Sequence, residues 1–218
     1  MIKVLVFDFD GVIVRNSEFG KDKVWDHILP PEVQEDVVRA KQKISGGRGS
    51  RFDVLRDLAG VMNVKLEEVD LWIETKSKEF DNFTRAFTLQ DGILPGDKNT
   101  IEILSQKYPL YVNSSTPEAV LPSIAEALNI HHFFKAMYGQ QGFNSKVENL
   151  LRVSNDSKTL PEEILFIGDQ DTDFKASEVF GCRFVGVMND YNKWQTSHKL
   201  FSLISAVKDL PDFLFSIH

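Results

Sequence analysis

The sequence predicts an α/β fold, a doubly wound parallel sheet with a helical domain inserted after its first strand. Short apolar runs alternate with helical patterns along most of the chain, as is typical of parallel strands that helices cover on both faces. The alternation stops between residues 16 and 87, where amphipathic helical segments follow one another with no convincing strand. Because this stretch is too long for a loop inside a compact domain, we expect a separate helical domain there.

The strands are predicted from apolar runs of strand length. The first, residues 2–7, is almost unbroken, which indicates a strand that is buried on both faces. Three later runs of this kind are PLYVN at 109–113, ILFI at 164–167 and RFVGV at 183–187. Together they predict at least four strands of one parallel sheet.

Amphipathic patterns predict the helices between these strands. They lie at 98–107, 117–128, 147–153 and 173–180, and the tail at 199–218 is predicted as apolar helical segments that close the sheet. The chain returns from the insertion through the Gly- and Pro-bearing segment TLQDGILPGD. We therefore expect an α/β core of residues 1–15 and 88–218, and a helical domain of residues 16–87.

Composition excludes several classes of protein. With 218 residues, 42% of them hydrophobic, the chain can bury a real core, and a net charge of −7 argues against binding to nucleic acid or to an anionic membrane. One cysteine, Cys182, can form no internal disulfide, which fits a reducing compartment. Neither a signal peptide nor an apolar run of the ~18 residues needed to span a membrane is present. A cytoplasmic protein is the expectation.

Two acids follow the first apolar strand. Asp8 and Asp10 are two residues apart, so in an extended chain they point the same way at the carboxyl end of the strand, where open α/β sheets bind ligands. Carboxylates so close resist joint ionisation unless a cation or hydrogen-bond donors offset them. Gly11 allows the chain to turn directly after them. The alternative is an exposed, acidic strand end.

Polar residues also end two later strands. Ser114 and Ser115 follow the second strand, and Thr116 with Pro117 suits the cap and first position of a helix, where hydroxyls and free amides bind phosphate; an ordinary helix cap is the alternative. The third strand ends in GDQDTD at 168–173. A calcium loop is excluded because phenylalanines stand where its glycine and glutamate are required. A group of acidic residues without a histidine or cysteine nearby favours Mg²⁺ as the bound ion.

These segments, in this order, carry a resemblance to a known family. DFDG at 8–11, Ser114, Lys146 near a helix start, and GDQDTD at 168–173 together resemble the haloacid dehalogenase-like superfamily of phosphatases. The resemblance is to the branch of phosphoglycolate phosphatases and β-phosphoglucomutases. It implies a Rossmann-like core and a helical cap domain, which the insertion would form.

The resemblance also implies residue roles. Asp8 would be the nucleophile that forms an aspartyl-phosphate, Asp10 the general acid and then base, Ser114 a hydrogen-bond donor to the phosphoryl group, and Lys146 the stabiliser of its charge. Mg²⁺ would be bound by Asp8, by Asp169 and by the main-chain carbonyl of Asp10. Asp173 would support these ligands. For Lys146, which lacks the proline that follows it in many relatives, the alternative is a surface lysine, with Lys135 as a competitor. Asp171 is not included among the metal ligands, because we expect it to be a solvated turn residue.

Substrate binding is expected from two further positions. Ser115 lies beside the phosphate site, and Arg48 lies in the glycine cluster ISGGRGSRFDVL, which resembles the cap segment that related enzymes present to substrate. A turn with solvated arginines at 48 and 51 is the alternative. The sequence thus predicts a magnesium-dependent phosphohydrolase of a small phosphorylated metabolite. A sugar phosphomutase, or a regulatory phosphate-sensing protein, is the alternative function.

Overall fold

A computed structural model describes residues 1–44, 51–141, 146–192, 194 and 200–217. The chain divides into two compact units, one of residues 1–18 and 91–218 and the other of residues 19–90. The assignment of 1–15 with 88–218 as catalytic core and of 16–87 as cap stays a prediction about function. No helix in the described ranges is long and apolar enough to cross a lipid bilayer.

The described part of the larger unit contains a parallel sheet of six strands in the order β3-β2-β1-β4-β5-β6. The strands are β1 Val4–Phe7, β2 Leu110–Pro117, β3 Ala136–Gln140, β4 Ile164–Gly168, β5 Arg183–Val187 and β6 Ser202–Ile204. Every residue of β1 is buried, as expected for a central strand. Phe7 is in register with both Val112 and Ile167, so the residues that directly follow these three positions lie on neighbouring chains of the sheet.

Nine α-helices lie in the described ranges. In chain order they are α1 Ser17–Ile28, α2 Gln34–Ile44, α3 Arg51–Val61, α4 Val69–Asp91, α5 Pro95–Ser105, α6 Leu121–Ala127, α7 Lys146–Ser157, α8 Asp171–Phe180 and α9 Leu210–Ser216. Leu150 of α7 packs in one buried cluster with Val6 and Phe166, which fixes this helix against the middle of the sheet.

The helical unit has a core of its own. Trp25 of α1 and Phe80 of α4 meet edge to face with ring centroids 5.3 Å apart, and Leu55 of α3 is fully buried in the same cluster. Arg51 forms a bidentate pair with Asp81, with donor–acceptor distances of 2.5 and 2.9 Å. Arg51 is therefore a packing residue of this unit rather than a solvated arginine.

The predicted α/β fold is confirmed, with corrections to single elements. All four predicted strands are present within a few residues of their expected bounds. The helical prediction for the tail at 199–218 is wrong in part, because residues Ser202–Ile204 form strand β6. The helix expected at 117–128 begins only at Leu121, because β2 continues to Pro117 and pairs there with Gln140 of β3.

Candidate active site

Acidic and hydroxyl side chains converge at the carboxyl edge of the sheet, where the strand order reverses on either side of β1. Asp8 and Asp10 follow β1, Ser114 lies within β2 two positions after the partner of Phe7, and Asp169 follows β4. Each of these four residues is no more than 6% exposed. This position is the ligand-binding crevice of doubly wound sheets. Burying several acids there is unfavourable without cations or donors.

Lys146 supplies one buried cation. It is the first residue of α7, and its Nζ lies 2.7 Å from Oδ2 of Asp8 and also contacts Oδ1 of Asp173. Burial acts to lower the pKa of Lys146, but Asp173 and Asp8 outweigh burial and raise that pKa above its usual range. The structure therefore holds Lys146 as a charged, buried residue, whereas the competing Lys135 is exposed.

Asp8 lies at the centre of this charge cluster. Its Oδ1 accepts a hydrogen bond of 2.7 Å from the main-chain N–H of Phe9, and its Oδ2 accepts the bond from Lys146. Burial raises the pKa of Asp8 well above its usual range, Lys146 opposes this, and Asp173 and Asp169 add to it. A carboxylate in such a site has a strong preference for a positive or electrophilic partner.

Asp10 has a different partner from Asp8. Strand β1 ends at Phe7, before both aspartates, and Asp10 forms an isolated bridge with Val14. Oδ2 of Asp10 accepts a hydrogen bond of 2.7 Å from the hydroxyl of Thr116, whose own N–H donates to Ser114 Oγ at 3.0 Å. The prediction of Thr116 as a helix cap is therefore wrong, because its hydroxyl contacts Asp10 instead.

Gly11 permits a close approach between two loops. Its φ of +78° lies in the left-handed region that glycine adopts without strain. A Cβ atom at this position would lie 2.0 Å from Oδ2 of Asp169, closer than any real contact. The turn after β1 can therefore pack directly against the acid that follows β4.

Three carboxylates form a group that could hold a metal ion. Ligand atoms of Asp8, Asp169 and Asp173 all lie within 4.8 Å of one another. Asp173 is satisfied on both oxygens, since Oδ1 contacts Lys146 and Oδ2 accepts the main-chain N–H groups of Asp169 and Gln170 at 3.1 and 3.0 Å. Oδ1 of Asp169, in contrast, is buried with no hydrogen-bond partner in the described part of the chain.

This orphaned oxygen fits a hard cation. Burial and then Asp173 raise the pKa of Asp169 to about 7, although the amide of Asn189 lowers it. An all-oxygen donor set without cysteine or histidine is typical of Mg²⁺. The predicted ligands Asp8 and Asp169 belong to this group, and their binding of Mg²⁺ stays a prediction. Asp173 contacts Lys146 and accepts the main-chain N–H groups of Asp169 and Gln170, just before α8. The main-chain carbonyl of Asp10 stays a predicted ligand.

The remaining predicted positions are less informative. Ser115 is exposed next to the buried Ser114, and Asp171 is exposed at the start of α8. Arg48 lies outside the described residues.

Sequence reasoning missed several asparagines of the site. Asn113, which precedes Ser114, donates to the main-chain carbonyl of Lys146 at 2.9 Å and accepts from the buried Asn149 at 3.0 Å. Asn189, after β5, donates to Asp169. Their signal in the sequence is weak, since each is a single polar residue at the end of a strand or in a helix. Only the fold brings them to the catalytic edge.

Comparisons with known proteins agree on one family. A model of haloacid dehalogenase-like hydrolases matches residues 2–181. Phosphoglycolate phosphatase of Haemophilus influenzae is 31% identical over 87% of this chain and 87% of its own. Among solved structures, a predicted phosphoglycolate phosphatase from Haemophilus somnus aligns with a TM-score of 0.70 at 21% identity, covering 98% of both chains. A β-phosphoglucomutase from Clostridium difficile has a TM-score of 0.69 at 18% identity, covering 99% and 96%.

Proposed function

Since the chain belongs to the haloacid dehalogenase-like hydrolase family and is a phosphatase, we propose that it hydrolyses small phosphorylated metabolites through an aspartyl-phosphate on Asp8, with Mg²⁺ as cofactor. The observation that carries this proposal is the buried cluster in which Lys146 bridges Asp8 and Asp173 while one oxygen of Asp169 has no partner. A cluster of this kind is suited to receive a phosphoryl group and a cation together.

The first step needs Asp8 in its charged form. The carboxylate attacks phosphorus, an O–P bond forms, and the bond from phosphorus to the ester oxygen breaks. Lys146 favours the charged form of Asp8 by direct contact and also offsets the negative charge that gathers on the phosphoryl oxygens. Mg²⁺, held by Asp8 and Asp169 with the Asp10 carbonyl, would supply further charge neutralisation. We assign Ser114, which is buried beside Asp10's partner Thr116, as a hydrogen-bond donor to the phosphoryl group.

Asp10 serves the proton transfers. Its protonated carboxyl gives a proton to the departing ester oxygen, and the resulting carboxylate then takes a proton from the water that hydrolyses the aspartyl-phosphate. The Thr116 hydroxyl, 2.7 Å from Oδ2, fixes the orientation of this carboxyl. Release of inorganic phosphate regenerates Asp8, so protons and oxygen atoms balance over the cycle.

The substrate proposal rests on the relatives. Because relatives that include one at 31% identity are phosphoglycolate phosphatases, we take 2-phosphoglycolate as the first substrate to test. Ser115 and Arg48 are the proposed contacts to the part of the substrate beyond the reacting phosphoryl group. A phosphomutase would return the phosphoryl group to a sugar instead, and the two activities differ in whether inorganic phosphate accumulates.

The test is phosphate release from a panel of phosphorylated metabolites, with Mg²⁺ and with EDTA. We expect release that requires Mg²⁺ and is lost in Asp8→Asn, while Lys135→Ala, at an exposed lysine outside the site, keeps normal turnover. Circular dichroism establishes that each variant is folded. Normal turnover by folded Asp8→Asn would refute the covalent mechanism. Isomerised sugar phosphate without free phosphate would identify a phosphomutase.

A further inference from the structure

The loop after β5 contacts the candidate metal site through one side chain. Asn189 is only 9% exposed, and its Nδ2 donates to Oδ2 of Asp169 at 2.9 Å and to the main-chain carbonyl of Gly11 at 3.2 Å. We propose that Asn189 is a positioning residue for Mg²⁺ binding, which holds the Asp169 carboxylate by Oδ2 so that Oδ1 is presented to the cation. This inference rests on the proposed cofactor.

The orientation of the Asn189 amide is set by its surroundings. Its Oδ1 accepts the main-chain N–H groups of Tyr191 and Asn192 at 3.0 and 2.8 Å. Exchange of the amide oxygen and nitrogen would place a donor against two donors and an acceptor against two acceptors. The nitrogen must therefore face Asp169 and Gly11. All four hydrogen bonds act together, so the side chain has one well-defined position.

The chemical type of the donor matters for the cation. Asp8 and Asp173 receive side-chain hydrogen bonds from the charged Lys146, whereas Asp169 receives its side-chain bond from a neutral amide. A neutral donor orients the carboxylate without cancelling its charge. The charge therefore stays available to a metal at Oδ1, which is buried and has no other partner among the described residues.

A second asparagine holds the loop itself. Asn192 Nδ2 donates to the main-chain carbonyls of Asp169 at 2.8 Å and Val187 at 2.9 Å, and its Oδ1 accepts the N–H of Asn189 at 3.3 Å. The backbone after β5 is thus fixed to the backbone after β4. Asn189 is then able to join three loops, those after β1, β4 and β5, at the carboxylate of Asp169.

The test measures Mg²⁺ binding by isothermal titration calorimetry on the full chain without substrate. Asn189→Ser keeps a hydroxyl that can accept the loop N–H groups but is too short to reach Asp169. Removing a residue that hydrogen-bonds to a metal ligand typically weakens metal affinity about 10- to 100-fold. We expect the Kd of Asn189→Ser for Mg²⁺ to rise by this factor. Asp190→Asn, exposed on the same loop, is the matched control and should change Kd by less than about threefold.

Thermal unfolding shows whether each variant is folded, and Asn189→Ala serves as a second variant. A folded Asn189→Ser or Asn189→Ala protein with the Kd of the original chain overturns the proposal. If both variants unfold, an NMR titration of the unmodified protein with Mg²⁺ replaces them. The side-chain amide signals of Asn189 must then shift, and unchanged signals overturn the proposal. If the unmodified protein binds no Mg²⁺, both the proposed cofactor and this inference are overturned. If it binds Mg²⁺ but releases no phosphate, only the proposed function is overturned.

Discussion

Replacing Lys146 by methionine should destabilise the protein strongly and in a pH-dependent way. The Lys146 side chain is 11% exposed, and its partners Asp8 and Asp173 are 4% and 0% exposed. Removing one partner of a buried pair leaves uncompensated charge and costs about 3–5 kcal/mol, against about 0.2–1 kcal/mol for an exposed pair. We expect a loss of about 3–5 kcal/mol in the free energy of unfolding at pH 7.

The pH dependence follows from Asp8. Its pKa in the folded protein is raised, so ionised Asp8 lowers stability at pH values above about 3.9, the pKa of an unfolded aspartate. Loss of Lys146 removes the group that opposes the raised pKa of Asp8. It therefore widens the pH range over which stability falls as pH rises. Lys146 itself stays protonated, since its pKa is raised. The deficit of the variant should therefore shrink as pH falls from 7 towards 4.5.

Hydrogen exchange of the β1 amides measures this deficit in the α/β unit directly, and urea unfolding followed by circular dichroism gives a second value. EDTA is present so that no cation replaces the missing ammonium group. The exposed Lys135→Met variant should change stability by less than about 0.5 kcal/mol. A deficit for Lys146→Met below about 1 kcal/mol, or one equal at pH 4.5 and 7, would refute the reasoning.

Three further predictions concern residues around Asp8. Asp10→Asn should slow first-turnover leaving-group release from an alkyl phosphate by roughly 10²- to 10⁴-fold and from p-nitrophenyl phosphate far less, and equal losses would reject Asp10 as the acid. Thr116→Val should lower the first-turnover rate with alkyl phosphates while Thr116→Ser restores it; no difference between the two variants would exclude the hydroxyl. Gly11→Ala should weaken Mg²⁺ binding in calorimetry, since its Cβ would meet Asp169 at 2.0 Å, and unchanged affinity would contradict that contact.

Much of the α/β unit could be predicted because its central strands are buried on both faces. Apolar runs of strand length at β1, β2, β4 and β5, separated by helical patterns, indicated these strands by their length and order along the chain. Strand β6 has only three residues and β3 contains a glycine and a glutamine, so neither carries a clear period. Such edge elements are defined by pairing with their neighbours rather than by their own composition.

The site was predictable where its residues stand at the ends of the apolar runs of the sequence. Asp8, Ser114 and Asp169 were expected at one edge because parallel strands end there together. Thr116 was misassigned because a hydroxyl before a proline is a common helix start, and its actual partner is 106 positions away. Asn189 reaches Asp169 over 20 positions and Gly11 over 178, and such contacts leave no local pattern in the sequence.

The central position of β1 has a consequence for synthesis on the ribosome. This strand is made first, but its neighbours are β2, which pairs at Leu110, and β4, which pairs at Ile167. At about 5–20 residues per second, roughly 8–30 s separate the emergence of Phe7 from that of its β4 partner. The helical unit, with a buried core of its own, lies in that interval. The apolar segment VLVF must therefore remain without any sheet partner until β2 is made, and without β4 for longer still. We expect it to be the main site of chaperone binding and aggregation in nascent chains.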